Sequence, residues 1–297
     1  MEGVDRVRAA ERSERRFAWS LLGPGLAVLV GTTTLPIFYL LWQSAQSTNL
    51  ALPGMDRFIG AANFVRLWDD SRFWDAFQLT LVYTGCTVIL QLVLGLGMAM
   101  LILKLPRAQG PLRVMAILPI VLAPVVVGMI WRTLMLTQDF GIVDLLFQKL
   151  GLGSHNWLGD PKLAVLSVIA IHTWQWTPFV FLYLLAALST IPDELYEAAR
   201  IDRASAWRRF ARITLPMIRP AIMMVIIIRM TVALSAFAAI YSATGGGPGT
   251  ATEILNLFAY RVSFAELDIG YGAAAAVVLL VLTLGVSAGL FAMRRGR

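Results

Sequence analysis

Charge is scarce in this 297-residue chain: Asp, Glu, Lys and Arg make up 14% of it, against about 25% in a soluble domain. With 58% hydrophobic residues, the excess of apolar side chains cannot all be buried in a water-soluble core, so a multi-spanning membrane protein is the first reading. Cys86 is the sole cysteine, which excludes an intrachain disulfide; within its apolar run it is expected to be a small buried hydrophobe. Two histidines and one cysteine supply no metal set. No G-x-x-x-x-G-K-[ST] run occurs. The glycine-rich stretch Thr244–Gly249 lacks a lysine, so a tight turn is expected there rather than a phosphate cradle. No paired carboxylates or nucleophile–base arrangement lie in the apolar runs, which speaks against an enzyme. A cleavable leader is not expected either: Met1–Arg16 is polar and charged, and the apolar run after it is too long.

What the chain does have is six apolar runs long enough to cross a bilayer: Phe17–Trp42, Trp74–Leu103, Val114–Leu136, Leu163–Leu188, Met217–Tyr241 and Gly270–Met293. They are too long for barrel strands and do not alternate. The expected fold is all-α and polytopic, with a tail at 1–16, a six-helix domain at 17–293 and a short tail at 294–297. Pro36, Pro119, Pro124 and Pro178 fall inside runs, where neighbouring helices can re-satisfy the freed carbonyls. Of the 25 Lys and Arg, 17 lie on one side, in both tails and in the second–third and fourth–fifth connections. That side is expected to be cytoplasmic, with both termini there. The net charge of +7 then reflects membrane topology, with lipid as partner, rather than nucleic-acid binding. Phe58, Phe64, Trp68, Phe73 and Trp74 in the first outer connection, and Trp157 in the second, suit the membrane–water boundary.

The fourth–fifth connection, YEAARIDRASAWRRFARITLP from Tyr196 to Pro216, is basic and helix-like. Pro192 fits a first helical position, and Asp193 and Glu194 sit where the helix dipole favours negative charge. Small Ala198 and Ala199 let another surface approach. Asp202 is a plausible cap for a second helix, on which Trp207, Phe210, Ala211 and Thr214 form one apolar stripe. Pro216 is expected to end it, because Leu215 before a proline is driven from helical geometry. An inert helix lying on lipid is the plain alternative. Against it, the first helix carries Glu194 and Glu197 and lacks a bulky apolar face.

At these residues the chain resembles the integral-membrane subunits of bacterial ABC importers, whose loop reads E-A-A, three residues, G, nine residues, I-x-L-P. Glu197, Ala198, Ala199, Asp202, Ile213, Leu215 and Pro216 match; the glycine position holds Arg203. Either that turn uses ordinary backbone angles or the docking surface is altered. Phe58–Phe64 (FIGAANF), Leu118–Pro119, Trp174–Phe179 (WQWTPF), Ile191–Pro192, Ile240–Tyr241 with Thr244–Pro248, and IGYGAA around Gly270–Gly272 resemble the carbohydrate-type branch. The resemblance implies the type I importer permease fold in the bacterial cytoplasmic membrane. It also implies a second permease subunit as heterodimer partner, two ATPase subunits that hold ATP and Mg, and an extracytoplasmic solute-binding protein. The permease itself would bind no cofactor. The coupling loop, about 190–216, would dock on an ATPase subunit through Glu194, Glu197, Ala198, Ala199, Asp202, Arg203, Trp207, Leu215 and Pro216.

For the solute, Trp174, Gln175 and Trp176 combine aromatic faces with an amide, which suits a sugar or polyol, although bundle packing is the commoner use of tryptophan. Arg229 lies about 13 Å into the membrane at about 1.5 Å per residue, and stands either as an anchor or as a substrate contact. Past Asp75 at the start of the second run, no Asp or Glu lies in the runs. The partner expected for Arg229 is therefore a backbone carbonyl, a group of the sister subunit or the substrate. Thr231 and Ser235 are the polar residues of the stretch Thr231–Ala239, which lacks the Asp and Asn frequent in that branch. The rival reading is a secondary transporter not powered by ATP, for which only His172 is available as a proton carrier.

Overall fold

Proline decides where the third apolar run gives way. The residue before a proline is pushed out of helical geometry, and Ala123, before Pro124, is extended (φ −61°, ψ 136°). The computed structural model, which describes residues 2–51, 54, 56–105 and 109–295, therefore has two helices in place of the expected Val114–Leu136. Side chains are described over 17–51, 54, 56–105, 110, 114 and 116–293. The basic side chains of both tails, Arg107 and Arg113 lie outside that set, as do residues 296–297.

The helices are α1 (Glu2–Ser44), α2 (Ala62–Asp69), α3 (Ser71–Leu103), α4 (Gln109–Val121), α5 (Pro124–Ile130), α6 (Ile142–Lys149), α7 (Pro161–Leu188), α8 (Asp193–Ile201), α9 (Ala206–Arg209), α10 (Leu215–Leu234), α11 (Ala238–Thr244), α12 (Leu255–Tyr260) and α13 (Ile269–Arg295). π turns follow α5, α9 and α12. Among the described residues no sheet forms, only isolated bridges at Gln46–Phe58 and Asn49–Asp268. Five helical stretches are long and apolar enough to span a membrane, and α5 with its π turn adds a shorter apolar one.

The fifth run departs from expectation at both ends. Its helix begins upstream, because α9, the π turn at Phe210–Thr214 and α10 are continuous. Leu215 is helical (φ −61°, ψ −44°), so Pro216 does not end the element. The wide turn bonds the Leu215 N–H to the Phe210 carbonyl, which opens the ladder just before the residue that cannot donate. Downstream, α10 stops at Leu234, and Phe237 (φ −152°) leads into the separate α11.

Hydrophobic attraction between helices is weak when the surroundings are lipid, so close packing and polar contacts must hold the bundle. A Cβ on Gly95 would strike the Val180 side chain and the Phe181 backbone, so glycine there lets α3 and α7 cross closely. Around that crossing Ala99, Ile102, Val180, Phe181, Leu184, Ile218 and Val225 form a buried cluster. At the opposite end Leu67, Phe73, Leu255, Phe258, Val262 and Tyr271 form another. The most apolar stretch of α1 is unburied; this helix packs chiefly on α13. Its end is strapped by Asn63, whose amide donates to the Ser44 and Gln46 carbonyls at 2.9 Å each.

Cys86 is exposed rather than buried. It shares the open face of α3 with Val82, Ile89 and Val93, a stripe that no neighbouring helix covers. The glycine-rich turn forms as expected: Gly245 caps α11 in the left-handed region (φ 63°), and Thr244 Oγ1 meets Thr252 Oγ1 at 2.7 Å.

Candidate functional site

Two regions bear on function: a loop at one end of the bundle and a polar centre where the broken helices meet. In the loop, Pro192 is extended (ψ 135°) and stands one position before the helix, so Asp193 rather than Pro192 opens α8. Asp202 closes α8 instead of capping the next helix. That cap is Ser205, whose hydroxyl accepts from the Arg208 N–H at 3.2 Å. Between them Arg203 adopts φ +51°. The turn thus keeps a left-handed residue although a side chain occupies it. Its geometry is a Schellman close: the Ala204 N–H donates to the Ala199 carbonyl at 2.9 Å and the Arg203 N–H to the Arg200 carbonyl at 3.0 Å.

The hydroxyls of Tyr196 and Thr214 meet at 2.9 Å and tie α8 to the start of α10. Glu194, Glu197, Ala198, Asp202, Arg203, Trp207, Leu215 and Pro216 are all exposed, and Ala199 is half-buried. The stripe expected along the second helix is only partly packed. Thr214 is buried and Phe210 and Ala211 half-buried, whereas Trp207 is 73% exposed, with its ring 5.6 Å from that of Phe210.

At the polar centre, α5 and α11 touch so closely that a Cβ on Gly128 would strike Ser242 and the Ala239 carbonyl. Irregular backbone inside a membrane is tolerated only where protein or a cavity satisfies it. Here Gln175 Nε2 donates to the Leu122 carbonyl at 3.2 Å, beside the break in the third run. Asn256 Nδ2 donates to the Ser235 carbonyl at 3.2 Å, beside the break in the fifth. A cavity of about 240 Å³ lies between them, lined by Tyr83, Pro124, His172, Gln175, Trp176, Ser235 and the 236–240 backbone region.

Arg229, 1% exposed, sits behind this cavity. Its Nε donates to Gln91 Oε1 at 2.8 Å, its Nη2 to His172 Nε2 at 3.0 Å, and its guanidinium lies 4.4 Å from the Trp176 ring centre. The expectation of a carbonyl, sister-subunit or substrate partner is therefore corrected. An amide, an imidazole and an indole from α3 and α7 hold it, at sequence separations that no local pattern reveals. Because a guanidinium only donates, His172 Nε2 must accept, which leaves the imidazole neutral with its proton on Nδ1.

Of the six expected pathway residues, Gln175, Trp176 and Ser235 line the cavity and Arg229 backs it. Trp174 does not join them: it points to the other side of α7, edge-on to Trp131 at 5.6 Å. Thr231 bonds the Ile227 carbonyl and Ser287 Oγ, facing α13.

Two polar clusters at the end opposite the loop were not foreseen. Asp144 is wholly buried and takes five hydrogen bonds: from the Asp139 and His155 N–H groups, Gln148 Nε2, Ser154 Oγ and Trp157 Nε1, at 2.8–2.9 Å. Burial alone would push its carboxyl up, but the donors at His155, Gln148, Asp139 and Ser154 outweigh that and hold it well below the usual carboxylate range. Glu253, 1% exposed, receives Arg72 at 2.7 Å and Arg261 at 3.0 Å, while Arg72 also reaches Glu266. Nothing in the spacing of residues 72, 253 and 261 signals that they meet.

Apolar helices that break around a shared polar centre, joined to a projecting two-helix loop, are the architecture of a membrane-embedded protein with a polar interior. Residues 91–294 match the family of binding-protein-dependent transport system inner membrane components, and the chain belongs to that family. It is 33% identical over 271 residues to the trehalose/maltose transport system permease protein MalF of Thermococcus litoralis, covering 91% of each. It is 35% identical over 283 residues to the sulfoquinovosyl glycerol transport system permease protein SmoG of Agrobacterium fabrum, covering 95% of this chain and 91% of that one. In fold it resembles a chain of a bacterial ABC transporter involved in the import of the acidic polysaccharide alginate (TM-score 0.81, 23% identity, 97% and 98% coverage). The chain is thus a membrane-embedded permease subunit of an inner-membrane importer.

Proposed function

We propose that this subunit, paired with a second permease, carries a sugar or related polyol delivered by a binding protein, and that separate ATPase subunits holding ATP and Mg drive it. The names of its relatives support the sugar class. The observation that carries the coupling role is the loop itself. Glu194, Glu197 and Ala198 stand exposed on one short helix, which a Schellman close and the Tyr196–Thr214 bond hold rigidly on the bundle. A helix so presented suits a protein cleft, and closure of the ATPase pair beneath it would tilt the permease. On this reading the loop side and both termini are cytoplasmic. The solute passes beside Gln175, Trp176 and Ser235, while Trp174 and Thr231 serve packing.

Glu197→Lys tests the coupling role, because the residue is exposed and its replacement is expected to leave the bundle intact. In the reconstituted complex the variant is expected to retain assembly but lose the link between ATP hydrolysis and uptake. Uptake at the unmodified rate would refute the role given to this helix.

A further inference from the structure

Every arginine of the outer cluster has a carboxylate: Arg66 pairs with Asp268, Arg72 with Glu253 and Glu266, and Arg261 with Glu253. Arg229 is the exception. It is more deeply buried than any of them, and both of its hydrogen-bond acceptors among the described residues, Gln91 and His172, are neutral. A charge inside a membrane protein without a counter-charge is costly and marks a functional position by default. Two of its neighbours, His172 and Trp176, form a wall of the 240 Å³ cavity. Tyr83 and Gln175 also line it, and Tyr83 Oη and Gln175 Oε1 are buried with no hydrogen-bond partner among the described residues. Such groups are rare in a finished core, since burying one unpaired is unfavourable. The cavity therefore has an uncompensated positive charge behind its wall, and two of its lining residues carry an unpaired hydroxyl and an unpaired amide oxygen.

We propose that this cavity receives an anionic group borne by the solute, so that the permease prefers a carboxylated or sulfonated sugar to a neutral one; the inference rests on the permease reading above. The anion sits on the His172 side, where the Arg229 charge is felt and the Tyr83 hydroxyl can donate. The sugar hydroxyls face Gln175 and Ser235, and Trp176 offers its ring to the apolar face of the pyranose. The volume is below the range of sites for drug-sized ligands, which begins at about 300 Å³, and suits one ring at a time.

The test uses the assembled complex in nanodiscs without its binding protein, with radiolabelled D-glucuronate and D-glucose as probes. Glucuronate is expected to be retained about tenfold more tightly than glucose, as a nearby fixed charge at intermediate dielectric would give. The preference is expected to vanish in Arg229→Met and to persist in Arg229→Lys. Equal retention of the two probes, retention of neither, or a preference that survives Arg229→Met would overturn the proposal. Should Arg229→Met fail to assemble, Tyr83→Phe keeps the ring and removes the free hydroxyl. It is expected to weaken glucuronate retention about threefold and leave glucose unaffected, and an unchanged ratio would overturn the proposal. Stimulation of ATP hydrolysis by the binding protein in the unmodified complex tests the permease reading separately.

Discussion

Replacing Arg203 by glycine should tighten the loop. Arg203 holds φ +51° in the position that closes α8, where a side chain costs about 1 kcal/mol or somewhat more through contact of its Cβ with the backbone. Glycine removes that strain but loses more backbone freedom on folding, so the net gain is about 0.5–1 kcal/mol. The two hydrogen bonds that close the turn, from the amides of residues 203 and 204, report it directly. Their hydrogen exchange should slow about two- to fivefold in Arg203→Gly. Arg203→Ala is the control: it removes the charge and keeps the Cβ, so exchange at these amides should stay near that of the unmodified chain. If the glycine and alanine variants exchange alike, the backbone at position 203 carries no strain and the reasoning fails.

Three further outcomes follow from the outer clusters. Glu253→Gln leaves Arg72 and Arg261 without their shared carboxylate and should destabilise that end of the bundle by about 1.5 kcal/mol, since only the carboxylate is buried and Arg72 keeps Glu266; detergent-solubilised thermal unfolding measures it. Asp144→Asn replaces a carboxylate that takes five donors by an amide with one acceptor, and should speed exchange across residues 137–160, while an unaltered pattern would show that the segment stands without it. Since the Asp144 carboxyl is held below its usual range, its stabilising effect is complete above about pH 4, the unfolded value. It should be lost as pH falls through the lower folded value, and Trp157 fluorescence follows it.

The long spans could be read because their signals are local. Asp160 caps α7 by accepting from the Lys162 and Leu163 N–H groups, Pro161 follows, and the expected Leu163–Leu188 falls within two residues of the helix found. The break at Ala123 is written in the sequence by Pro124, although the apolar run alone extends through it. The break at Ser235–Phe237 has no proline or glycine to announce it, and the side chain that bonds its freed carbonyls, Asn256, lies twenty residues on. Continuity of the helix through Pro216 depended on a π turn, which hydrophobic spacing does not reveal. The two short helices of the loop were legible because their motif is contiguous, although Pro192, Asp202 and Pro216 take other positions than expected. The setting of Arg229 was not, because Gln91 lies 138 residues away and His172 57. The same holds for Arg72 and Glu253, 181 residues apart.

The proposed coupling requires one contact, between the α8 loop and an ATPase subunit. Cys86 is the chain's only cysteine and lies on the open face of α3, so Cys86→Ser provides a clean background. In that background Ala198→Cys, exposed on α8, can be cross-linked in the assembled complex with a short bifunctional maleimide against cysteines placed in the ATPase cleft. A cross-linked permease–ATPase product that changes in yield when ATP is added is the expected result. Absence of that product from a fully assembled complex would contradict the account.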